Sequence, residues 1–267
     1  MSEKQKKQLN MASWALLILS AIVTLGFATR SYNSMVCEAI EIDVDISNNM
    51  HFLSNADVMQ VLLQRGVQAQ GKLVKDIDLA SVERTILSIP SVEQAAVYTT
   101  GSGKLRIEVV QRTPVVRIFN RNGSSFYLDV NGVPMPLSVN YTARTLPVTG
   151  VPNNGALYSV SEVNANDSLK QASLLDDIYT LATYIEQDEF LKAQIVQVDV
   201  NEKNEFELIP RMGGHKILFG RTDDPAPRFN KLKLFYEKGL RKSDQRKYSV
   251  LDLRFEDQIV CTKKRIY

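Results

Sequence analysis

Few residues in this 267-residue sequence carry the chemistry of a catalytic or metal-binding group. It contains two histidines, His51 and His215, and two cysteines, Cys37 and Cys261. These four residues lack the short mutual spacings with which histidine and cysteine hold a zinc ion. Each histidine is more simply interpreted as a loop or strand-end residue than as a base or ligand. We therefore predict no metal, no cofactor and no small-molecule substrate.

The sequence patterns that mark common enzyme classes are also missing from this sequence. It has no G-x-S-x-G elbow, no H-E-x-x-H helix and no P-loop. Gly101-Ser102-Gly103 lacks the third glycine of a dinucleotide loop, because Arg106 occupies that place. Asp176 and Asp177 are adjacent on a predicted helix, where neighbouring side chains diverge. The sequence therefore predicts a protein that is not an enzyme.

Charge and cysteine content narrow the class further. The chain has 32 basic and 30 acidic residues, and its first ten residues hold three lysines and one glutamate. The remainder is therefore neutral, which disfavours nucleic-acid binding because that function needs a basic excess. Two cysteines cannot build a disulfide framework. We expect both thiols to be reduced.

An apolar stretch near the N-terminus organises the rest of the chain. Residues 8–29 contain no charge, and three lysines precede them while only Arg30 follows closely. A predominantly apolar helix of roughly 18 residues would span about 27 Å, close to the thickness of a bilayer core. The lysines predict a cytoplasmic N-terminus at 1–10, a transmembrane helix at 11–29 and a connector at 30–40. The alternative is a signal peptide cleaved after Ala28, although the apolar stretch exceeds the usual length for one.

The next segment, residues 41–111, has the pattern of a small independent domain. Residues 41–46 alternate as a strand, with Ile42, Val44 and Ile46 on one face. Ser54 and Asp78 are predicted N-caps of two helices, which Gly66 and Pro90 follow. Two strands then flank the turn at 101–103. The order is β-α-α-β-β.

A second region, residues 112–267, is predicted to be mostly β. Asn122-Gly123 is a strong hairpin signal, and 136–167 reads as loops and short strands. Helical periodicity covers 168–187 and 228–239. Three strands lie between these helices, and two strands, SVLDLRF and QIVCTKK, close the chain around a turn at Glu256-Asp257.

These stretches together resemble one protein family. Residues 90–97 read P-x-V-x-x-A-x-V, with LRIEV at 105–109 and QRTPV at 111–115. The pattern continues with YLD at 127–129, LPVTG at 146–150 and LDLRF at 251–255. In this order after one anchor, they are similar to the FtsQ/DivIB bacterial cell-division proteins. The predicted fold class is α+β: a transmembrane helix, a β-α-α-β-β POTRA domain, and a mixed, mostly antiparallel β domain with two or more helices.

The resemblance implies a single-pass inner-membrane protein whose exported domains lie in the periplasm at the division septum. Such proteins act as scaffolds that bind the pair of short coiled-coil membrane proteins FtsB and FtsL through the last strand of the β domain and the preceding helix. Carried over by position, that surface consists of Lys203, Lys231, Phe235, Arg254, Phe255, Asp257, Gln258, Ile259, Val260 and Cys261. Phe255 and Gln258 depart from the usual tyrosine and turn glycine of the family.

Physical reasoning about the C-terminus agrees with that surface. A last strand at a sheet edge exposes backbone groups that a partner strand can pair with. The stretch from Arg211 to Lys247 contains eleven basic and four acidic residues, and this basic excess would attract an acidic partner. The competing interpretation is a solvated basic face, with Lys263, Lys264 and Arg265 blocking edge pairing. An alternative function is a POTRA-containing envelope chaperone or translocation adaptor.

Overall fold

A computed structural model describes residues 14–24, 34–46, 49–152, 174–221, 224–239 and 247–264. The chain divides into two compact units. The first comprises Met1–Asn48 with Leu53–Gln111, and the second comprises Asn49–Phe52 with Arg112–Tyr267. The short segment 49–52 is therefore part of the second unit although the surrounding chain builds the first.

Residues 14–24 form a helix, α1, whose large apolar side chains are exposed. The predicted span 11–29 continues at both ends onto residues that lie outside the described ones. In the part of the chain that the structure describes, no helix combines the length and the apolarity needed to cross a bilayer. The transmembrane span therefore stays a prediction.

The first unit has the predicted β-α-α-β-β order. Its elements are β1 (Ala39–Val44), α2 (Asn55–Gln64), α3 (Leu79–Leu87), β2 (Val92–Thr99) and β3 (Lys104–Gln111), with a 3₁₀ turn at Val74–Asp76. The strands form a sheet in the order β1-β3-β2. β1 runs parallel to β3, and β2 runs antiparallel to β3. A parallel pair needs a crossover connection, which α2 and α3 provide.

Local signals in the sequence fix the helix ends of this unit. Ser54 and Asp57 form the predicted capping box of α2, and the Asp78 carboxylate caps α3 through the Ser81 amide. Gly66 has φ +73° after α2, a conformation that costs glycine little. The predicted strand face was wrong at one position, because β1 ends at Val44 and Ile46 is exposed.

The second unit contains nine strands and three helices within the described residues. The strands are β4 (Pro114–Asn120), β5 (Ser125–Asp129), β6 (Pro134–Met135), β7 (Leu146–Val151), β8 (Ile195–Val200), β9 (Phe206–Pro210), β10 (Lys216–Leu218), β11 (Tyr248–Asp252) and β12 (Val260–Lys263). The helices are α4 (Leu174–Gln187), α5 (Glu189–Gln194) and α6 (Ala226–Leu234), and a π-helical turn, Phe235–Gly239, continues α6.

All nine strands join one sheet in the order β12-β11-β10-β9-β8-β7-β4-β5-β6. Three neighbouring pairs are parallel, namely β10–β11, β4–β7 and β7–β8, and the other five are antiparallel. The prediction of a mixed, mostly antiparallel sheet is therefore confirmed. β7 is a six-residue strand inside the stretch predicted to hold loops and short strands.

The helices cover this sheet with apolar faces. α4 packs against β4 and β7 and buries Ile178, Leu181 and Ile185, as its periodicity predicts. The predicted start of this helix, 168–173, lies outside the described residues. The sequence did not predict α5, which Asp188 caps and which leads directly into β8. Phe229 and Leu232 on α6 are fully buried in the same core.

Candidate partner-binding site

The predicted binding strand lies at an end of the large sheet. Among the described strands, β12 pairs only with β11. Its residues are exposed except for the half-buried Cys261. The expectation that the last strand is an edge strand is confirmed. We call β12, the connection 253–259 that precedes it, and α6 with its π turn the β12 surface.

The hydrogen bonds of β11 determine which backbone groups of β12 point outward. The Leu253 amide donates to the carbonyl of Leu218, the last residue of β10, at 2.9 Å. Strand alternation then directs the Leu251 backbone toward β10 as well. Leu251 stands opposite Cys261, so these two residues form a pair without mutual hydrogen bonds. The N–H and C=O groups of Cys261 therefore point away from the sheet.

The structure corrects the predicted extent of the last two strands. β11 ends at Asp252 and β12 begins at Val260, so Arg254 and Phe255 are not strand residues. Asp257, Gln258 and Ile259 also lie in the connection. Only Val260 and Cys261 of the predicted contact residues belong to β12. The predicted strand at 249–255 was too long because the Arg254 amide donates to the Asp252 carboxylate instead of to a partner strand.

Lys231 on α6 holds this connection in place. Its ammonium group donates to the carbonyl of Leu253 at 3.1 Å and to the carbonyl of Phe255. A carbonyl at the end of a strand has no ladder partner, and a cation is a strong donor for it. Lys231 on α6 therefore fixes the position of the connection before β12, in addition to any contact that it makes with a partner.

Phe235 links the π turn to β11. Its ring meets the ring of Tyr248 edge-on, with 6.4 Å between centroids, and it packs half-buried against the core. A Cβ at Gly239 would approach this ring to 2.8 Å, so the turn closes tightly on Phe235. The phenyl ring therefore stabilises the helix against the sheet and leaves only part of its surface for a partner.

Arg254 is bound by two carboxylates. Its Nε and Nη2 lie 2.9 and 2.7 Å from the two oxygens of Asp252, and its Nη1 lies 3.3 Å from Glu205. Hydrogen bonding to the Arg254 guanidinium lowers the pKa of Asp252, and the same bond raises the pKa of Arg254. The side chain is still 40% exposed. It is thus fixed in orientation and accessible.

Lys203 lies on the turn between β8 and β9. The Asn201 side-chain oxygen accepts from the amides of Lys203 and Glu205, and Asn204 has φ +59°. Lys203 and Arg254 line one cleft of about 400 Å³, together with Asn201, Glu202, Glu205, Phe206, Glu207, Leu218 and Gly220. Three of these residues are acidic and two are basic, so the cleft has no basic excess and is not an anion site.

Much of the basic run from Arg211 to Lys247 is already paired within the described residues. Lys216 binds Glu207, Arg221 binds Asp177, and Lys233 binds Asp188. Hydrogen bonding to Lys233 lowers the pKa of Asp188. The basic excess that the sequence displays is therefore smaller at the surface than its residue count suggests.

The remaining predicted residues differ in exposure. Phe255 and Val260 are 47% and 42% exposed, so both apolar side chains are accessible on this surface. Asp257 and Gln258 are also exposed, whereas Ile259 and Cys261 pack half-buried against the core. Burial raises the pKa of the Cys261 thiol, so this cysteine is not activated as a nucleophile.

The described residues bring together no group of three or more metal-ligating side chains. His215 is buried, and its Nε2 lies 2.9 Å from the Tyr236 hydroxyl. Burial, and next the Lys264 cation, lowers the pKa of His215, while burial raises the pKa of Tyr236 to about 12. This pair is a buried hydrogen bond that joins the π turn after α6 to the chain just before β10.

Sequence reasoning missed the carboxylates that orient Arg254. Asp252 stands two residues before Arg254, and residues at that spacing lie on the same side of an extended chain. That spacing could have predicted the contact between Asp252 and Arg254. No sequence signal could have predicted that Glu205 and Gly220 lie beside Arg254, because strand pairing alone brings them there.

Comparison with known proteins follows the same division of the chain. The family model described as "FtsQ/DivIB, C-terminal related" matches residues 113–262. A model for a POTRA-like domain matches residues 35–110. The cell division protein FtsQ of Rhodothermus marinus is 29% identical over 200 residues, which is 73% of this chain and 68% of that protein. Because the first match covers more than half of the sequence, the chain belongs to the FtsQ/DivIB family.

Proposed function

We propose that this protein is a non-enzymatic scaffold of the bacterial division machinery and that it binds its partners through the β12 surface. The observation that carries this proposal is the outward backbone of Cys261 on an exposed edge strand. Membership of the FtsQ/DivIB family and the likeness to a protein named for cell division support the process in which the scaffold acts.

Binding takes place by addition of a partner strand to β12. The outward N–H and C=O groups of Cys261 pair with the backbone of an extended partner segment, which gives affinity without a particular side chain. Phe255 and Val260 supply exposed apolar contacts on the same surface. Lys231 and Phe235 hold the helix beside it. The partners are an FtsB-like and an FtsL-like protein.

The cleft between Lys203 and Arg254 adds selectivity at one end of this surface. Arg254 is pre-oriented by Asp252 and Glu205, so a partner contact costs little side-chain ordering. Exposed Lys203 and Glu202 stand at the same cleft. A partner segment with both charge signs complements this arrangement better than a uniformly acidic one.

The scaffold is anchored in the inner membrane by residues 11–29. The exposed apolar side chains of α1 and the lysines before it support an anchor with residues 1–10 in the cytoplasm. A connector at 30–40, a POTRA domain at 41–111 and a β domain at 112–267 then lie in the periplasm. A fluorescent fusion should gather at mid-cell, and N-terminal sequencing should find no cleavage after Ala28.

A substitution pair at Cys261 tests the binding surface. Cys261→Pro removes the outward N–H, and an edge strand tolerates proline at such a position. Cys261→Ala removes the thiol alone and is the matched control. We expect the proline variant of the full chain to lose binding to a co-purified FtsB–FtsL pair by at least about tenfold, with the alanine variant unaffected. Equal binding by both variants, with unchanged thermal unfolding, would show that β12 is not the site.

The chaperone alternative makes a different forecast for the same material. A chaperone of the envelope should bind unfolded outer-membrane proteins through the first unit, independently of Cys261. Capture of such clients by the proline variant, without any division protein bound to the wild type, would replace the scaffold with this second function.

A further inference from the structure

A second cleft lies at the opposite end of the β8–β9 hairpin from Lys203. It opens where β7 and β8 begin and β9 ends, and it encloses about 400 Å³. We call it the arginine cleft. Its lining residues are Arg144, Thr145, Leu146, Pro147, Ile185, Glu186, Lys192, Ile195, Val196 and Arg211. The six residues of β8 separate it from the Lys203 turn by roughly 17–20 Å.

The charges of this cleft do not cancel. Lys192 pairs with Glu186 across the rim. Arg144 and Arg211 are both exposed, and neither guanidinium group makes an ion pair or hydrogen bond to the described residues. Within the described residues, two cations without a counter-charge thus line one concavity, whereas acidic residues outnumber basic ones at the cleft beside Arg254. Thr145 adds a buried hydroxyl oxygen without a partner in the described structure.

The other wall of the arginine cleft is apolar. Leu146 and Ile195 begin the parallel strands β7 and β8, and Val196 beside them is 36% exposed. The volume is in the range that pockets for small organic groups occupy and is larger than a single inorganic anion needs. None of the lining residues is Trp, Tyr or Phe. The combination suits a carboxylate next to an aliphatic group.

We propose that the arginine cleft binds an acidic segment of a protein partner, with Arg144 and Arg211 holding a carboxylate and the Leu146–Ile195–Val196 wall holding a neighbouring aliphatic side chain. Guanidinium groups match carboxylates with paired hydrogen bonds, and two of them at one cleft favour an anion over a neutral group. This site is independent of the proposed function at β12, because it uses neither β12 nor α6.

Methyl NMR on the full-length chain in detergent micelles tests this site with residues that already line it. The probes are the acetylated, amidated tripeptide Leu-Glu-Leu and its neutral analogue Leu-Gln-Leu. We expect Leu-Glu-Leu to shift the methyl signals of Ile185, Ile195 and Val196 and to saturate in the millimolar range. The analogue, and the double variant Arg144→Gln with Arg211→Gln, should each bind roughly tenfold more weakly.

The control variant is Lys72→Gln with Lys75→Gln, which removes the same charge from exposed positions of the first unit. It should bind Leu-Glu-Leu as the wild type does. Absence of a saturable shift up to about 10 mM, or equal binding of Leu-Gln-Leu, would overturn the proposal. Inorganic phosphate or glycerol phosphate that shifts the same methyl groups more tightly than Leu-Glu-Leu would also overturn it and assign the cleft to a phosphate or lipid headgroup.

Discussion

The two edges of the large sheet, β6 and β12, solve the same physical problem in opposite ways. β6 has two residues, one of them Pro134, and both are buried. Met135 packs in a cluster with Phe52 and Tyr127, whose rings meet edge-on at 5.6 Å. β12 has four residues, three of them exposed; its last residue is Lys263, and the exposed Lys264 follows it.

An unpaired edge strand can pair with a strand of another chain, and proteins usually prevent this by a short edge strand, by covering the edge or by placing proline in it. All three devices are present at β6. At β12 only charge is present, and charge selects among partners more than it forbids pairing. One edge therefore serves the fold, and the other is the edge at which we propose that a partner binds. The predictions below separate these two roles.

The largest effect is expected at the covered edge. Met135 is 1% exposed, so Met135→Ala leaves a cavity in the aromatic cluster and should reduce the free energy of unfolding by about 2–5 kcal/mol. Urea unfolding measures this change. Partner binding by the remaining folded protein should not change. A loss of binding without a loss of stability would mean that β6 also faces a partner.

A smaller loss of stability is expected from a substitution at Gly220, which follows β10 and lies against Arg254. Its φ is +76°, and a Cβ there would meet the Cγ of Arg254 at 3.0 Å. Gly220→Ala should therefore cost about 1–3 kcal/mol and displace the arginine from Asp252. Urea unfolding and partner titration check both parts. An alanine variant that keeps wild-type stability and affinity would show that Arg254 can shift at no cost.

Removal of the Lys231 ammonium group should loosen the connection before β12. Lys231→Met keeps much of the aliphatic stem but leaves the carbonyls of Leu253 and Phe255 without this donor. We expect a loss of about 1–2 kcal/mol in stability and faster hydrogen exchange at residues 253–259. Lys238→Met, on an exposed residue of the π turn, is the control. Equal exchange in both variants would refute the anchoring role.

The smallest effect concerns acidity. Folding lowers the pKa of His215 below its ordinary value near 6.5. When the pH falls below about 6.5, His215 therefore binds a proton in the unfolded chain but not in the folded one. Stability should therefore fall as pH drops below about 6.5, by at most about 1.4 kcal/mol per pH unit from this group. Urea unfolding at pH 7.5 and 5.5 measures the slope. His215→Gln should flatten it, and an unchanged slope in that variant would show that another group causes the pH dependence.

Local signals account for the parts of the fold that the sequence predicted. The capping box at Ser54, the cap at Asp78 and the turn at Asn122-Gly123 are each decided within four residues. Helical periodicity placed Ile178, Leu181 and Ile185 correctly because the period of a buried helix face is written into the sequence. The sequence did not predict short elements such as α5, because six residues are too few to show a helical repeat of apolar residues.

Contacts between distant residues were beyond the same reasoning. Nothing in the sequence showed that β10 and β11 are parallel neighbours, or that Lys231 reaches the carbonyls before β12. The strand at 249–255 was predicted too long because alternation continues through Arg254, whereas the Arg254 amide donates to the Asp252 side chain and so leaves the strand ladder.

The sequence by itself determined the order of elements and the helix ends of the first unit, the lack of known catalytic patterns and the approximate position of the last strand, because short-range backbone preferences and side-chain periodicity decide these features. Only the tertiary structure decided that the opposite edge of the sheet is the covered strand β6, and that Arg144 and Arg211 line one cleft. Those features depend on which strands become neighbours, and strand order is set by burial summed over the whole sheet.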